Sequence, residues 1–252
     1  MSAAPRWLLC RRRRSEVRLR MYCFPHSGGS PGEYMAWADD LPEVELWGVQ
    51  APGRGSRVEE PAFTSMPELV AAVVGEVDFA APYVFFGHSL GALVAYETAV
   101  ALRDAGRPGP EQLWLSGTRA PHLHRPDRGL HRLHGRDLVD AVGREYGPIA
   151  PELLAAPDLL EMLLPVLRSD LAIVAGYQAR SRRPLDCPVV VLGGDDDRER
   201  GDLLTAWRDH TTGPFEVRTF PGGHFYFREQ RDAVLRATCP ARAWTSTPSV
   251  GR

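Results

Sequence analysis

Short runs of apolar, β-branched and aromatic residues recur at positions 18–24, 45–50, 83–86, 112–116, 188–192 and 215–220. Runs of that length, bounded by turn residues, read as buried strands. Between most of them the apolar spacing changes to a helical repeat, as at 66–77 and 90–105. Strands alternating with single helices predict a mostly parallel central sheet flanked by helices on both faces, a doubly wound α/β layout.

The alternation breaks once. Residues 121–183 carry only helical signals, at 136–145, 151–154 and 157–177. An insertion on the carboxyl side of a parallel sheet lies over the ligand crevice, so this one reads as a helical lid. No repeat or long linker divides the chain. Residues 1–238 are therefore expected to form a single domain, with 239–252 as a frayed tail.

The 252 residues are 44% hydrophobic and 25% charged, sufficient for one soluble domain that encloses a substrate cleft. No apolar run is long enough to span a membrane. Trp7-Leu8-Leu9 also precedes the Arg11-Arg12-Arg13-Arg14 block, the reverse of an export leader. The expected location is the cytoplasm. Cys10, Cys23, Cys187 and Cys239 are widely spaced and read as reduced thiols. A net charge of −2 argues against a general polyanion binder, and no nucleic-acid partner is expected. The arginine block reads as a solvated segment ahead of the first strand.

Chemistry enters at Gly87-His88-Ser89-Leu90-Gly91, where a strand pattern passes through Gly-x-Ser-x-Gly directly into a helical one. That is the context in which the motif forms a nucleophile elbow, with the serine raised above the end of the sheet. Gly28-Gly29-Ser30-Pro31-Gly32 also fits the pattern. The residue after the nucleophile must offer its N–H to the oxyanion, however, and Pro31 has none, whereas Leu90 does.

A serine elbow needs a base and a group that orients it. The run at 215–220 leads into Pro221-Gly222-Gly223-His224, a tight turn that delivers His224 beyond the sheet's carboxyl edge. His88 adjoins the serine but points elsewhere and is expected to bond locally. His210 follows a helix too early to be placed like His224. His122, His124, His131 and His134 lack the cysteines, local glutamate or HExxH helix of a zinc site, so neither metal nor cofactor is expected. The acid is expected after the run at 188–192, among Asp195, Asp196 and Asp197; spacing leaves all three open. The chain order Ser, Asp, His is that of an α/β-hydrolase.

The chain resembles the type II thioesterases of polyketide and nonribosomal peptide assembly lines. The motifs that carry this are Cys23-Phe24-Pro25-His26-Ser27-Gly28-Gly29-Ser30, Pro52-Gly53-Arg54-Gly55-Ser56-Arg57, the Ser89 elbow, Leu164-Pro165-Val166-Leu167-Arg168-Ser169-Asp170 and Pro221-Gly222-Gly223-His224. They occur in the family's order, over roughly residues 7–237. The family's Gly-x-x-Asp turn, laid on Gly194-Asp195-Asp196-Asp197, selects Asp197 as the acid and leaves Asp195 as runner-up. Ser27 stands where relatives often have alanine, and Arg198 where proline often follows the acid.

The resemblance implies hydrolysis of short or aberrant acyl groups from the phosphopantetheine thiol of an acyl or peptidyl carrier protein. Ser89 would attack, His224 would take the proton and Asp197 would orient the imidazole. The backbone N–H groups of Ser27 and Leu90 would stabilise the oxyanion. Carrier proteins are usually acidic, so Arg119, Arg125, Arg128 and Arg132 at the lid entry are candidates for that contact. Residues 52–57 are expected to shape a turn beside the cleft. A monomer is expected. The competing readings are a general esterase or acyl-CoA thioesterase, and a catalytically weak carrier-binding module.

Overall fold

The computed structural model describes residues 7–125, 129–149 and 151–238. Its sheet contains β1 (Leu8–Leu9), β2 (Leu19–Phe24), β3 (Val44–Val49), β4 (Tyr83–His88), β5 (Leu113–Ser116), β6 (Val189–Gly194) and β7 (Phe215–Phe220). Their order across the sheet is β1-β3-β2-β4-β5-β6-β7. All the pairings are parallel except β1 with β3, where Leu8 faces Val49 in antiparallel register.

From β2 the chain goes outward to β3, then returns to place β4 on the other side of β2. The order therefore reverses between β2 and β4, and ligand crevices of open α/β sheets form outside the carboxyl ends of the strands at such a point. Phe24 pairs with Gly87 there, immediately before the Pro25–Ser30 loop and Ser89.

Strand side chains alternate between two cores. Tyr22, Phe24, Phe85, Leu115 and Val191 face one core, against α2 (Met66–Glu76) and α3 (Leu90–Asp104). Met21, Cys23, Phe86, Trp114 and Leu192 face the other. That second core also takes Tyr34 of α1 (Gly32–Met35), Phe227 of α8 (Tyr226–Glu229) and Val234 of α9 (Arg231–Thr238). With helices on both faces the molecule has the α/β-hydrolase fold. No helix among the described residues is long and apolar enough to cross a membrane.

Between β5 and β6 lie α4 (Gly135–Tyr146), α5 (Pro151–Leu154), α6 (Pro157–Gly176) and short 3-10 turns. Helix α7 (Asp202–Thr205) follows β6. Helix α4 buries Leu138, Val139 and Ala141. Helix α6 carries Pro165 in its interior: upstream, Leu159 and Met162 are exposed, and downstream Val166, Asp170, Leu171 and Ile173 are buried. Just beyond α6, the Tyr177 hydroxyl donates to the buried Glu97 of α3 at 2.7 Å.

Two sequence expectations change. Strand β1 precedes the arginine block, so that block does not lead into the first strand. Nor is it simply solvated. Arg11 and Arg12 each pair with Asp39 at 3.1 Å, the Arg14 backbone donates to Glu45, and Arg13 lies over the Trp47 ring. Acidic and aromatic groups beside β3 thus hold the block against the sheet edge. The predicted tail, 239–252, lies outside the described residues.

Candidate active site

Strand β4 ends at His88 and α3 begins at Leu90, so the whole reversal falls on Ser89, with φ 55° and ψ −120°. It is the one non-glycine residue with positive φ among the described residues. Such a conformation costs on the order of 1–3 kcal/mol and persists only where surrounding structure enforces it. Here the Ser89 N–H donates to the Ser116 carbonyl at 2.7 Å. A methyl on Gly87 would overlap the Gly91 backbone, and one on Gly91 would overlap the Phe24 carbonyl. Both glycines of the motif are therefore demanded by close backbone approach. Ser30, of the second motif match, is exposed and lines neither cavity described below.

His224 leaves β7 through a turn in which Gly222 has φ 124°. Its Nδ1 lies 2.9 Å from Asp197 Oδ2, and both side chains are buried. An ionised carboxylate only accepts, so Nδ1–H donates and Nε2 is left as the basic nitrogen. The other Asp197 oxygen accepts the Glu199 N–H at 3.2 Å. Of the three aspartates, Asp197 is the one bonded to His224. Exposed Asp195 accepts the Gly222 N–H at 2.9 Å and so braces the turn that carries the histidine.

His88, His122, His124 and His210 have other partners. His88 is fully buried behind the elbow, where its Nδ1 lies 2.8 Å from Ser116 Oγ, itself 2.6 Å from the Tyr226 hydroxyl. Burial first, then the neighbouring His224, pushes its pKa well below the ordinary value. His210 sits between the Tyr96 hydroxyl and His122, at 2.9 and 2.8 Å, and burial and His122 lower its pKa to about 4. His124 reaches the Val174 carbonyl at 2.8 Å. No cluster of three His, Cys, Asp or Glu side chains among the described residues is arranged to hold a metal ion.

Ser89 and His224 line two cavities in common, although no hydrogen bond joins them among the described residues. Such a contact is often loose before substrate binds. The larger cavity, about 480 Å³, has Leu90, Leu93, Leu130 and Val174 among its apolar walls and charged groups at Arg119, Glu145, Arg198 and Glu199. The smaller, about 40 Å³, is bounded by Ser27, Val142, Leu167, Leu171 and Phe225. Ser27 thus borders the same space as Ser89. Leu90 opens α3, where the first N–H groups have no intrahelical acceptor.

Sequence reasoning overlooked Tyr146, whose ring lies 5.1 Å from that of His224, and Glu199. Glu199 grips Arg119 through two contacts of 2.6 and 2.9 Å. Arg119 is therefore a paired, partly exposed group in the cavity wall rather than an isolated rim charge. Arg125 and Arg132 are exposed, and Arg128 lies outside the described residues. Arg198, immediately after Asp197, pairs with Glu145 on α4.

A serine held between β4 and α3, facing a His–Asp pair set at the ends of β7 and β6, is the arrangement by which α/β-hydrolases are recognised. Residues 20–240 match the family described as Thioesterase domain, and the chain belongs to that family of thioester hydrolases. It is 41% identical to thioesterase PikA5 of Streptomyces venezuelae over 220 residues, covering 84% of this chain and 76% of that one. The type II thioesterase BorB from the borrelidin biosynthetic cluster superposes with a TM-score of 0.84 at 34% identity, over 92% of this chain and 95% of that one. YbtT, a type II thioesterase from the yersiniabactin NRPS/PKS pathway, gives 0.77 at 30% identity, over 92% and 96%.

Proposed function

We propose that this chain is an editing thioesterase of polyketide or nonribosomal peptide biosynthesis, releasing short or aberrant acyl groups from the phosphopantetheine thiol of a carrier protein. The observation that carries the reading is the buried His224–Asp197 hydrogen bond beside the cavity walled by Ser89. In this mechanism the Ser89 Oγ attacks the thioester carbonyl while its proton passes to His224 Nε2. Asp197 holds the imidazole tautomer and stabilises the imidazolium. The N–H groups of Ser27 and Leu90 receive the oxyanion. The C–S bond then breaks, and the thiolate departs with the proton. Water, deprotonated by His224, attacks the acyl-Ser89 ester; the acid leaves and the serine is restored.

The helices between β5 and β6 act as a lid, with the Tyr146 ring set at a tilt against the His224 imidazole. The enzyme works as a monomer in the cytoplasm, where acyl-loaded carriers are found. Release of acid from one carrier protein loaded in turn with acetyl, propionyl, butyryl and longer groups tests the reading. Turnover of the short groups is expected, and Ser89→Ala is expected to abolish it. A wild type that binds the carrier but releases nothing would favour a binding module instead.

A further inference from the structure

We infer that Asp170 and Arg54 form a positioning pair that sets the Ser27 loop from the downstream half of α6. The inference rests on the oxyanion role proposed for the Ser27 N–H. Asp170 is 2% exposed, yet it lies on a helix of the insertion. One of its oxygens accepts both the Gly28 N–H at 2.8 Å and Arg54 Nη1 at 3.0 Å; the other accepts Arg54 Nη2 at 2.7 Å. Arg54 Nη1 also reaches the Gly29 carbonyl at 3.0 Å. A planar guanidinium in this two-point contact fixes orientation as well as distance.

The loop backbone is thereby held peptide by peptide. The Ser27–Gly28 peptide is gripped at its N–H by Asp170, while its carbonyl lies 3.0 Å from His26 Nδ1. The preceding peptide, which carries the Ser27 N–H, is turned by its own carbonyl, which accepts the Gly29 N–H at 2.9 Å. Because N–H and C=O point in opposite directions across a trans peptide, these bonds fix where the Ser27 N–H points. At Gly28, φ 71°, an added methyl would crowd Leu167, one helical turn from Asp170 on the same face of α6. Donors aimed at an oxyanion act through preorganisation, so the pair is expected to affect the transition state more than substrate binding.

The test uses the intact chain and an acyl-carrier substrate. Asp170→Asn keeps an oxygen for Gly28 but removes the negative charge that faces Arg54. Arg54→Met/Asp170→Leu removes both charges together, which avoids leaving one buried and unpaired. The double variant is expected to retain the fold and lower kcat by about 10²-fold, the scale of one lost oxyanion donor. Its KM should stay within about twofold of wild type, and Asp170→Asn should fall between the two. Affinity for an acyl trifluoromethyl ketone, which forms a tetrahedral oxyanion on Ser89, should fall in step with kcat. Affinity for a non-hydrolysable thioether analogue should not. Folded variants with wild-type kcat and ketone affinity would overturn the pairing role, as would losses shared equally by KM and thioether binding. If the double variant does not fold, Asp170→Asn decides between the same outcomes. Wild-type turnover that survives Ser89→Ala would sink the serine mechanism itself, a separate failure.

Discussion

Tyr146, the last residue of α4, sets its ring 5.1 Å from the His224 imidazole at an interplanar angle of 48°. The contact joins the insertion directly to the candidate base. Aromatic pairs of this kind are worth about 0.5–1.5 kcal/mol, so Tyr146→Ala is expected to lower kcat/KM by roughly two- to tenfold. Tyr146→Phe keeps the ring contact and should lose less than Tyr146→Ala. Steady-state kinetics on one acyl-carrier substrate distinguish the two variants.

The hydrogen bond from His224 selects Asp197 from its two neighbours. Asp197→Asn is expected to cost roughly 10³–10⁴ in kcat by favouring the wrong imidazole tautomer. Asp195→Asn, which only weakens the brace on Gly222, should lose far less. Equal losses in the two variants would contradict this division of roles.

Strain at Ser89 gives an unusual stability comparison. Ser89→Ala retains a side chain at φ 55°, whereas Ser89→Gly relieves the conformation at some cost in unfolded-state entropy. The glycine variant is expected to be about 1 kcal/mol more stable than the alanine variant, although neither should turn over substrate. Urea melts of the pair measure the difference.

Two other glycines should respond in opposite directions. At Gly91 an added methyl has no room beside the Phe24 carbonyl, and Gly91→Ala should destabilise by about 3 kcal/mol or prevent folding. Gly75, exposed in α2 with no heavy atom within 4 Å of an added Cβ, should yield about 0.5–1 kcal/mol of extra stability on Gly75→Ala.

Acid sensitivity follows from His88 and His210, both held neutral by burial. Below about pH 6.5 the unfolded chain takes up protons that these native histidines refuse. Stability therefore falls as the pH drops, by up to about 1.4 kcal/mol per pH unit for each group. For His210 the window runs from about 6.5 down to about 4. Unfolding free energies at pH 5.5 and 7.5 should differ in that direction, and His210→Gln should reduce the difference.

The sheet was legible because most of its strands are short, largely apolar runs bounded by turn residues, and the elbow because Gly87 and Gly91 are required by contacts within a few residues or with β2. Strand β1 was not: two residues are too few to display a period, and only pairing with Val49 and Gly48 makes them a strand. The aspartate choice depended on which carboxylate the turn aims at His224, and spacing alone does not encode that direction. Tyr146 carries no local mark at all, since its place beside His224 arises from tertiary packing. Arg54 and Asp170 both stood in recognisable motifs, yet 116 positions separate them and each alone resembles an ordinary surface charge. The pairing of Arg119 is hidden for the same reason, because its partner Glu199 lies 80 positions away.

Pro165 gives α6 two unequal halves. All the α6 residues that wall either cavity, Leu167, Leu171 and Val174, lie downstream of it, together with Asp170. Upstream, Leu159 and Met162 face solvent and touch neither cavity wall. One helix thus combines a segment frozen by chemistry with a segment open to mutation, and descendants of this chain can rewrite the outer turns without retuning the reacting atoms.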